Sequence, residues 1–358
     1  MSLDDLLAHA RHRVPFLGGR LSGSDFGGCD LSDLAVVSTD LRRSDFRGAR
    51  LARTRFVDCD LREADLRADV LDGLSILDSR LEAADLSGIR AADVTVAKSS
   101  CRGLRLAGAV MERLQILASD LTGADLSDVV FSTVALLDCD LAEASLRSAS
   151  LTAFMVTRAD LRSAILDGLR LDTGALIEAD LSGHDLRGLT LARVNLAKAK
   201  LVGCTLAGAD LTGGLLTGAD LRRANLGAAC ARMTVFAGAD LSGADLTNAD
   251  LGMANFQDAT LAGATFSGAD LELAVASGAR AAGARFDGAR LAYARLDATD
   301  LGGARFDGAA FRQTDFHRAT TEGMVAFGAS GGVLQTDQVR AIAELYDPRR
   351  VRDAGEAV

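Results

Sequence analysis

Apolar residues in this chain return with neither a helical nor a strand period. Residues 238–250 read Gly-Ala-Asp-Leu-Ser-Gly-Ala-Asp-Leu-Thr-Asn-Ala-Asp. The spacing is five, where a helix repeats about every 3.6 residues and a strand about every 2. If Leu241 is a centre, centres fall at every fifth residue from Phe16 to Phe316, and 50 of these 61 positions are Leu or Phe. The others are Val36, Ile76, Ala91, Val96, Cys101, Met111, Ile116, Val156, Ala231, Ala276 and Ala281, all apolar or small. No insertion breaks the phase. An internal repeat this regular sets the architecture before any other reading.

The position two residues before each centre carries a second signal. From Ala199 to Ala319 it is always Ala, Gly, Cys or Thr. Residues two apart in an extended segment face one way. The small residue and the centre therefore point inward, and the residue between them, often Asp, points out. The remaining two residues turn the chain. Small inward residues let facing walls approach, and the centres fill a narrow interior in layers. In the first half, larger residues intrude at the small position: Leu34, Leu74, Ile89, Val94, Leu104, Leu114, Val129, Val134, Phe154, Leu169, Leu189 and Val194. Seven of these twelve (Leu34, Leu74, Val94, Leu114, Val134, Phe154 and Val194) differ by multiples of 20. A four-sided coil of 20 residues puts them in one column, so five residues make one side of a square.

The segments Ala239-Asp240-Leu241, Ala244-Asp245-Leu246, Ala219-Asp220-Leu221 and Ala224-Asn225-Leu226 resemble the A-(D/N)-L-x-x motif of the pentapeptide-repeat family. The resemblance covers roughly residues 16–320. It implies an all-β fold, a right-handed quadrilateral parallel β-helix of about fifteen coils with short helical caps at both ends. At about 4.8 Å per coil the rod is roughly 70 Å long, and each coil touches only its neighbours. Open ends expose ladder groups, so caps are expected. Residues 1–15 form the N-terminal cap, where Ser2 can N-cap a helix carrying Leu3, Leu6, Leu7 and Ala10, closed before Pro15. Residues 321–358 form a linker and a C-terminal helix, with Thr336 as its cap and Val339, Ile342, Ala343 and Tyr346 on one face. The resemblance makes that face a candidate lid and a candidate homodimer contact.

Composition changes the picture only at the edges. A net charge of −10 disfavours direct nucleic-acid binding. Asp4 and Asp5 near the start leave no apolar signal-peptide core, and no run of 18 apolar residues predicts a membrane span. Six cysteines without C-x-x-C spacing fit a reduced, cytoplasmic protein. No Walker A loop, H-E-x-x-H or EF-hand loop occurs, so neither an enzyme nor a cofactor is expected. The G-x-S-x-G match at Gly328-Ala329-Ser330-Gly331-Gly332 falls in a Gly-rich stretch, read as a flexible joint between rod and terminal helix and not as a nucleophile elbow. His184 replaces a small inward residue and is read as a hydrogen-bonded interior or corner histidine; with only Cys204 on the same face it makes no metal site. Asp69 stands at an inward position, which predicts a local bulge or an Asp-to-backbone bond. Cys29, Cys59, Cys139 and Cys204 take small inward slots, and Cys101 is a centre. Cys230 points outward and is the candidate reactive thiol.

With a stereotyped core, specificity lies on the outer faces, and two columns stand out. Asp40, Asp60, Asp120, Asp140, Asp160, Asp180, Asp220 and Asp240, continued by Asp300, share the outward position before the centre. Carboxylates at single-coil steps loosely imitate the phosphates of a DNA strand. Through the resemblance, this makes DNA gyrase or topoisomerase IV candidate partners, contacted by DNA mimicry and protected from inhibitors. Arg42, Arg62, Arg102, Arg162 and Arg222 stand just after the centre on the same face and make the ladder a mixed one. The second column is apolar: Val37, Val57, Leu77, Ala97, Leu117, Leu137, Thr157 and Ile177, flanked by Met155. A contiguous outward stripe marks a contact, either with a protein partner or second copy, or with a terminal helix folded back over it.

Overall fold

The computed structural model describes residues 2–338. Five-residue sides close into a four-sided coil, because residues 20 apart pair in parallel on each side. Asp40 pairs with Asp60, Asp45 with Asp65, Asp30 with Arg50 and Val36 with Phe56. We number the sides by their centres. The first carries Leu41 and Leu61, the second Phe46 and Leu66, the third Leu51 and Leu71, the fourth Phe56 and Ile76. The result is an all-β parallel solenoid of about 16 turns.

One hydrogen-bond rule builds the stack. The N–H of a centre donates to the coil ahead, as Leu241 does to the Thr260 carbonyl at 2.7 Å, and the residue before it donates to the coil behind, as Asp240 does to Ala219 at 2.9 Å. The residue two after the centre makes the corner with a positive φ, 64° at Gly243; glycine adopts this without steric cost. Inside, centres stack face to face, with the rings of Phe26 and Phe46 at 4.4 Å and those of Phe286 and Phe306 at 4.6 Å. Hydroxyls in the small slots donate to carbonyls of the preceding coil, as Ser44 Oγ does to Leu21 at 2.9 Å and Thr234 Oγ1 to Leu211 at 2.7 Å, or to the residue two before, as Ser79 Oγ does to Leu77 at 2.7 Å.

The fourth side carries true strands over the first half of the rod. Ala35–Val37, Arg55–Val57, Ser75–Leu77, Thr95–Ala97, Gln115–Leu117 and Ala135–Leu137 lie in register. Ser150–Thr157 and Arg170–Ile177 run on through the corner between the third and fourth sides. Phe154 fits only because the next coil offers Gly174, where a Cβ would lie 2.4 Å from its ring.

The N-terminal helix, Leu3–His12, is capped as expected: Ser2 Oγ accepts from Asp5 N, and Ser2 N donates to the Asp5 carboxylate at 2.7 Å. Its Leu6 is buried, with Leu3, Leu7 and Ala10 packed against the core, so it closes the first coil. Asp69 does sit in a bulge. Ala68 is buried in its place, and Asp69 N takes the bond to Ala49 one residue early, at 2.9 Å. At the far end, pairing continues past residue 320. Arg305 pairs with Val325, Ala310 with Ser330, and Thr314 with Val333 at a step shortened to 19. A further coil therefore occupies part of the stretch expected to be linker, because the five-residue rule persists through Thr321, Ala326 and Gly331 without its usual leucines. Among the described residues no helix is long and apolar enough to cross a membrane.

Candidate protein-interaction surfaces

The acidic column is built into the backbone. Each of Asp40, Asp60, Asp120, Asp140, Asp160, Asp180, Asp220 and Asp240 turns Oδ1 to accept the N–H two residues on, at 2.9–3.3 Å. This Asx turn pins the corner that follows, which is why Asp recurs there. Arginines then claim the rest of the carboxylates. Arg42 grips Asp40 with Nε and Nη2 at 2.9 and 2.7 Å, and Arg222 grips Asp220 at 2.8 and 2.6 Å. Arg62 and Arg162 repeat this with Asp60 and Asp160, while Arg102 reaches Asp120 and Lys200 reaches Asp180. The guanidinium hydrogen bonds hold Asp40, Asp60, Asp160 and Asp220 below the usual carboxylate range. Seven of these eight carboxylates on the first side thus stand against a basic side chain, Asp240 only at 3.9 Å from Arg222, and Asp140 alone of the eight has no ion pair among the described residues. The second side repeats the Asp–Arg pairing with Asp45–Arg47, Asp65–Arg67 and Asp185–Arg187, a recurrence that reading along one column alone does not reveal.

The apolar stripe is a register-locked ladder on the fourth side. Val37 pairs with Val57, Val57 with Leu77, Leu117 with Leu137, and Thr157 with Ile177. Its side chains point outward but are half-buried, because each is flanked by others one coil, about 4.8 Å, above and below. Met155 beside it is 46% exposed. The ladder begins earlier than expected, at Leu17, which pairs with Val37 and is 55% exposed. That exposure shows that the N-terminal helix closes the end of the rod without lying over the stripe. The candidate contact residues Val339, Ile342, Ala343 and Tyr346 lie outside the described residues.

A second apolar feature escaped the column reading. Met233, Met253 and Leu273 are 52%, 48% and 48% exposed and stand with Tyr293 on successive coils at one corner. Their φ angles are 56° to 61°, where Gly is the usual choice in this half of the rod. The signal was a 20-residue recurrence of large apolar residues at the corner position.

The chemical motifs resolve into structure. Ser330 of the G-x-S-x-G match pairs with Ala310, and its N–H donates to Ala309 at 2.9 Å, so this stretch belongs to the last coil and not to a joint. His184 is half-buried, its Nε2 2.6 Å from the Leu161 carbonyl, and Cys204 Sγ donates to Leu181 at 3.0 Å. Among the described residues no group of His, Cys, Asp and Glu could hold a metal ion. Burial pushes the thiols of Cys59 and Cys204 up to about 11 and that of Cys101 to about 12. Cys29 is half-buried, Cys139 is buried and Cys230 is exposed.

The repeat is also recognised as a family. The sequence model described as pentapeptide repeats matches in 8 copies, over residues 37–67, 118–152, 191–227, 219–252, 254–292 and 289–320, more than half of the chain. The chain belongs to the pentapeptide-repeat family. Solved pentapeptide-repeat structures are similar to it. HetL, involved in heterocyst differentiation regulation in the cyanobacterium Nostoc sp. strain PCC 7120, is 25% identical, covering 81% of this chain and 96% of that one, with a TM-score of 0.17. QnrB1, a plasmid-mediated fluoroquinolone resistance protein, is 16% identical, covering 71% and 95%, with a TM-score of 0.17. A thylakoid-lumen pentapeptide-repeat protein of Arabidopsis thaliana is 28% identical, covering 39% and 66%, with a TM-score of 0.10. No curated protein matches the chain.

Proposed function

We propose that this pentapeptide-repeat protein is a non-enzymatic, cytoplasmic rod that binds a protein partner along its fourth side. The observation that carries the reading is the outward apolar ladder from Leu17 to Ile177, continuous in register over nine coils. Eight steps of about 4.8 Å and a width of about 10 Å give roughly 400 Å², half of what one partner contributes to a standard interface. The candidate partners are DNA gyrase, topoisomerase IV and a second copy of this chain. Contact through the ladder tolerates salt, whereas mimicry through the acidic column is salt-sensitive. The arginine clamps on Asp40, Asp60, Asp160 and Asp220 argue for the ladder.

A gyrase supercoiling assay, with and without a quinolone, separates the two surfaces. Leu117→Glu with Leu137→Glu should abolish any inhibition or drug protection, and Asp120→Asn with Asp140→Asn, Asp160→Asn and Asp180→Asn should leave it intact. The reverse pattern supports DNA mimicry and removes the ladder from the account.

A further inference from the structure

Among the described residues, two adjoining sides of the stack open together between one pair of coils. On the second side every coil from Asp25 to Val325 pairs with the next except Ile165 with Asp185, and on the third side the adjacent pair Arg170 with Thr190 is also missing; the other third-side pair that is missing, Val70 with Arg90, lies at the Asp69 bulge, where Gly73 still donates to Ala92 at 2.9 Å and the second side stays paired. No backbone hydrogen bond joins Leu166, Gly168 or Leu171 to the coil ahead, or Asp185 or Thr190 to the coil behind. The other two sides stay closed: Leu161 donates to Asp180 at 2.9 Å and Leu176 to Asn195 at 2.8 Å. Each lip is also anchored outward, Ile165 to Ala144 at 2.9 Å and Leu186 to Thr205 at 2.8 Å. The coils gape like a hinge on their second and third sides.

The cause lies in the small slots. The third-side slot holds Ala149, then Leu169 and Leu189 in succession, then Ala209; the second-side slot holds Ala164, His184 and Cys204. Successive large residues on one side are accommodated, as on the fourth side, where the strands stay in register; here two leucines and a histidine fill adjoining slots on two sides at once, and the coils part. The gap is a cleft of about 580 Å³ lined by Leu166, Gly168, Leu169, Asp185, Gly188 and Leu189. Behind it lies an apolar void of about 30 Å³ in the leucine core. Leu166 and Leu189 are half-buried and Ile165 is 40% exposed. The charged groups on the lip are paired: Arg187 grips Asp185 at 2.9 and 2.6 Å, and Asp167, also in the lining, accepts from Arg147 at 3.3 Å.

We propose that this cleft receives an extended, apolar peptide segment, inserted between the two coils as an additional parallel strand. By the ladder rule of the neighbouring coils, the N–H groups of Leu166, Gly168 and Leu171 are the donors, and the carbonyls of Asp185, Arg187 and Thr190 the acceptors, that go unpaired across it, so an extended main chain can satisfy both lips at once. The leucine lining selects apolar side chains at alternate positions, which enter the core as the centres do. The gap spans two sides, which sets the segment at about ten residues with the chain's own small-x-large spacing. This site is separate from the apolar ladder, and its test is independent of the partner bound there.

The probe is a fluorescein-labelled peptide copying residues 144–153, Ala-Ser-Leu-Arg-Ser-Ala-Ser-Leu-Thr-Ala, with a scrambled control, titrated against the full chain by anisotropy. Binding should saturate and be at least about tenfold tighter than for the scrambled peptide. Hydrogen exchange reads the cleft directly. In the free protein the amides of Leu166, Gly168, Leu171, Asp185 and Thr190 should exchange about tenfold or more faster than those of Leu206 and Leu226, and the peptide should slow them. Leu169→Ala with Leu189→Ala lets the coils close, protecting these amides and abolishing binding. Uniformly protected amides in the free wild-type protein overturn the proposal, as does equal binding of the scrambled peptide or undiminished binding to the double variant.

Discussion

Replacing Phe256 by alanine tests the layered core most sharply. Phe256 is 1% exposed, stacked on Phe236 at 4.9 Å and 4° and edge-on to Phe266 at 5.8 Å. Burying and then deleting a phenylalanine typically costs about 3–5 kcal/mol, and each aromatic pair is worth about 0.5–1.5 kcal/mol beyond its area. The walls cannot collapse into the space, since the Phe256 N–H is held by Val275 at 2.6 Å and the neighbouring coils are fixed the same way. Phe256→Ala should therefore cost near the top of the range, about 5 kcal/mol. Because coils touch only their neighbours, the loss should also be local. Native-state hydrogen exchange under mild urea should show amides from Phe236 to Phe286 losing protection well before those from Leu41 to Leu81. Phe256→Leu, which keeps most of the volume, should cost under about 1.5 kcal/mol. A loss below about 2 kcal/mol for the alanine variant, or equal loss of protection at both ends of the rod, refutes the reasoning.

Three further outcomes follow from the surface and the thiols. The Asp–Arg staples set the acid response. Asp45 is lowered from 3.8 to about 2, chiefly by its hydrogen bonds from Arg47, so its contribution is complete above about pH 4 and is lost as pH falls toward 2. The thermal midpoint should stay level from pH 7 to about 4 and drop below it, and Arg47→Gln should shrink the drop; a decline already present between about pH 7 and 5 contradicts this. Asp240→Asn keeps the Oδ1 acceptor for the Ser242 N–H at 2.9 Å and should be nearly neutral in urea denaturation, whereas Asp240→Ala should cost about 1 kcal/mol. Under native conditions a thiol-reactive disulfide reagent should modify Cys230 first, with Cys59, Cys101 and Cys204 reacting only on unfolding; mass mapping of the first modified site checks it.

Much of this architecture was legible because the repeat obeys a single steric rule. Phe16 to Phe316 keep phase, and the multiples of 20 among Leu34, Leu74 and Leu114 fix the number of sides without reference to any structure. The bulge at Asp69 was legible for the same reason, since a carboxylate cannot stand in an inward slot. The last coil was not, because Thr321, Ala326 and Gly331 hide the pattern while the backbone ladder persists. The acidic column was visible as a column, but its chemistry was not. The Oδ1-to-backbone turn and the grip of an arginine two residues on depend on side-chain direction at a corner, which column alignment does not supply. The Met233 to Tyr293 ridge was missed because corner positions were taken as turn filler. Leu169, Leu189 and His184 were each noticed as intruders. Their joint effect, an interface open on two adjoining sides, appears only when the third and second sides are seen on adjoining coils.

Sedimentation velocity on the wild-type protein and on Leu117→Glu with Leu137→Glu, each alone and mixed with purified gyrase or topoisomerase IV, at low and high salt, tests the central claim most directly. The account predicts a complex, with a second copy or with a topoisomerase, that persists at high salt and disappears in the double variant. A complex that dissolves in salt and survives the double substitution contradicts it, as does the absence of any complex in every mixture.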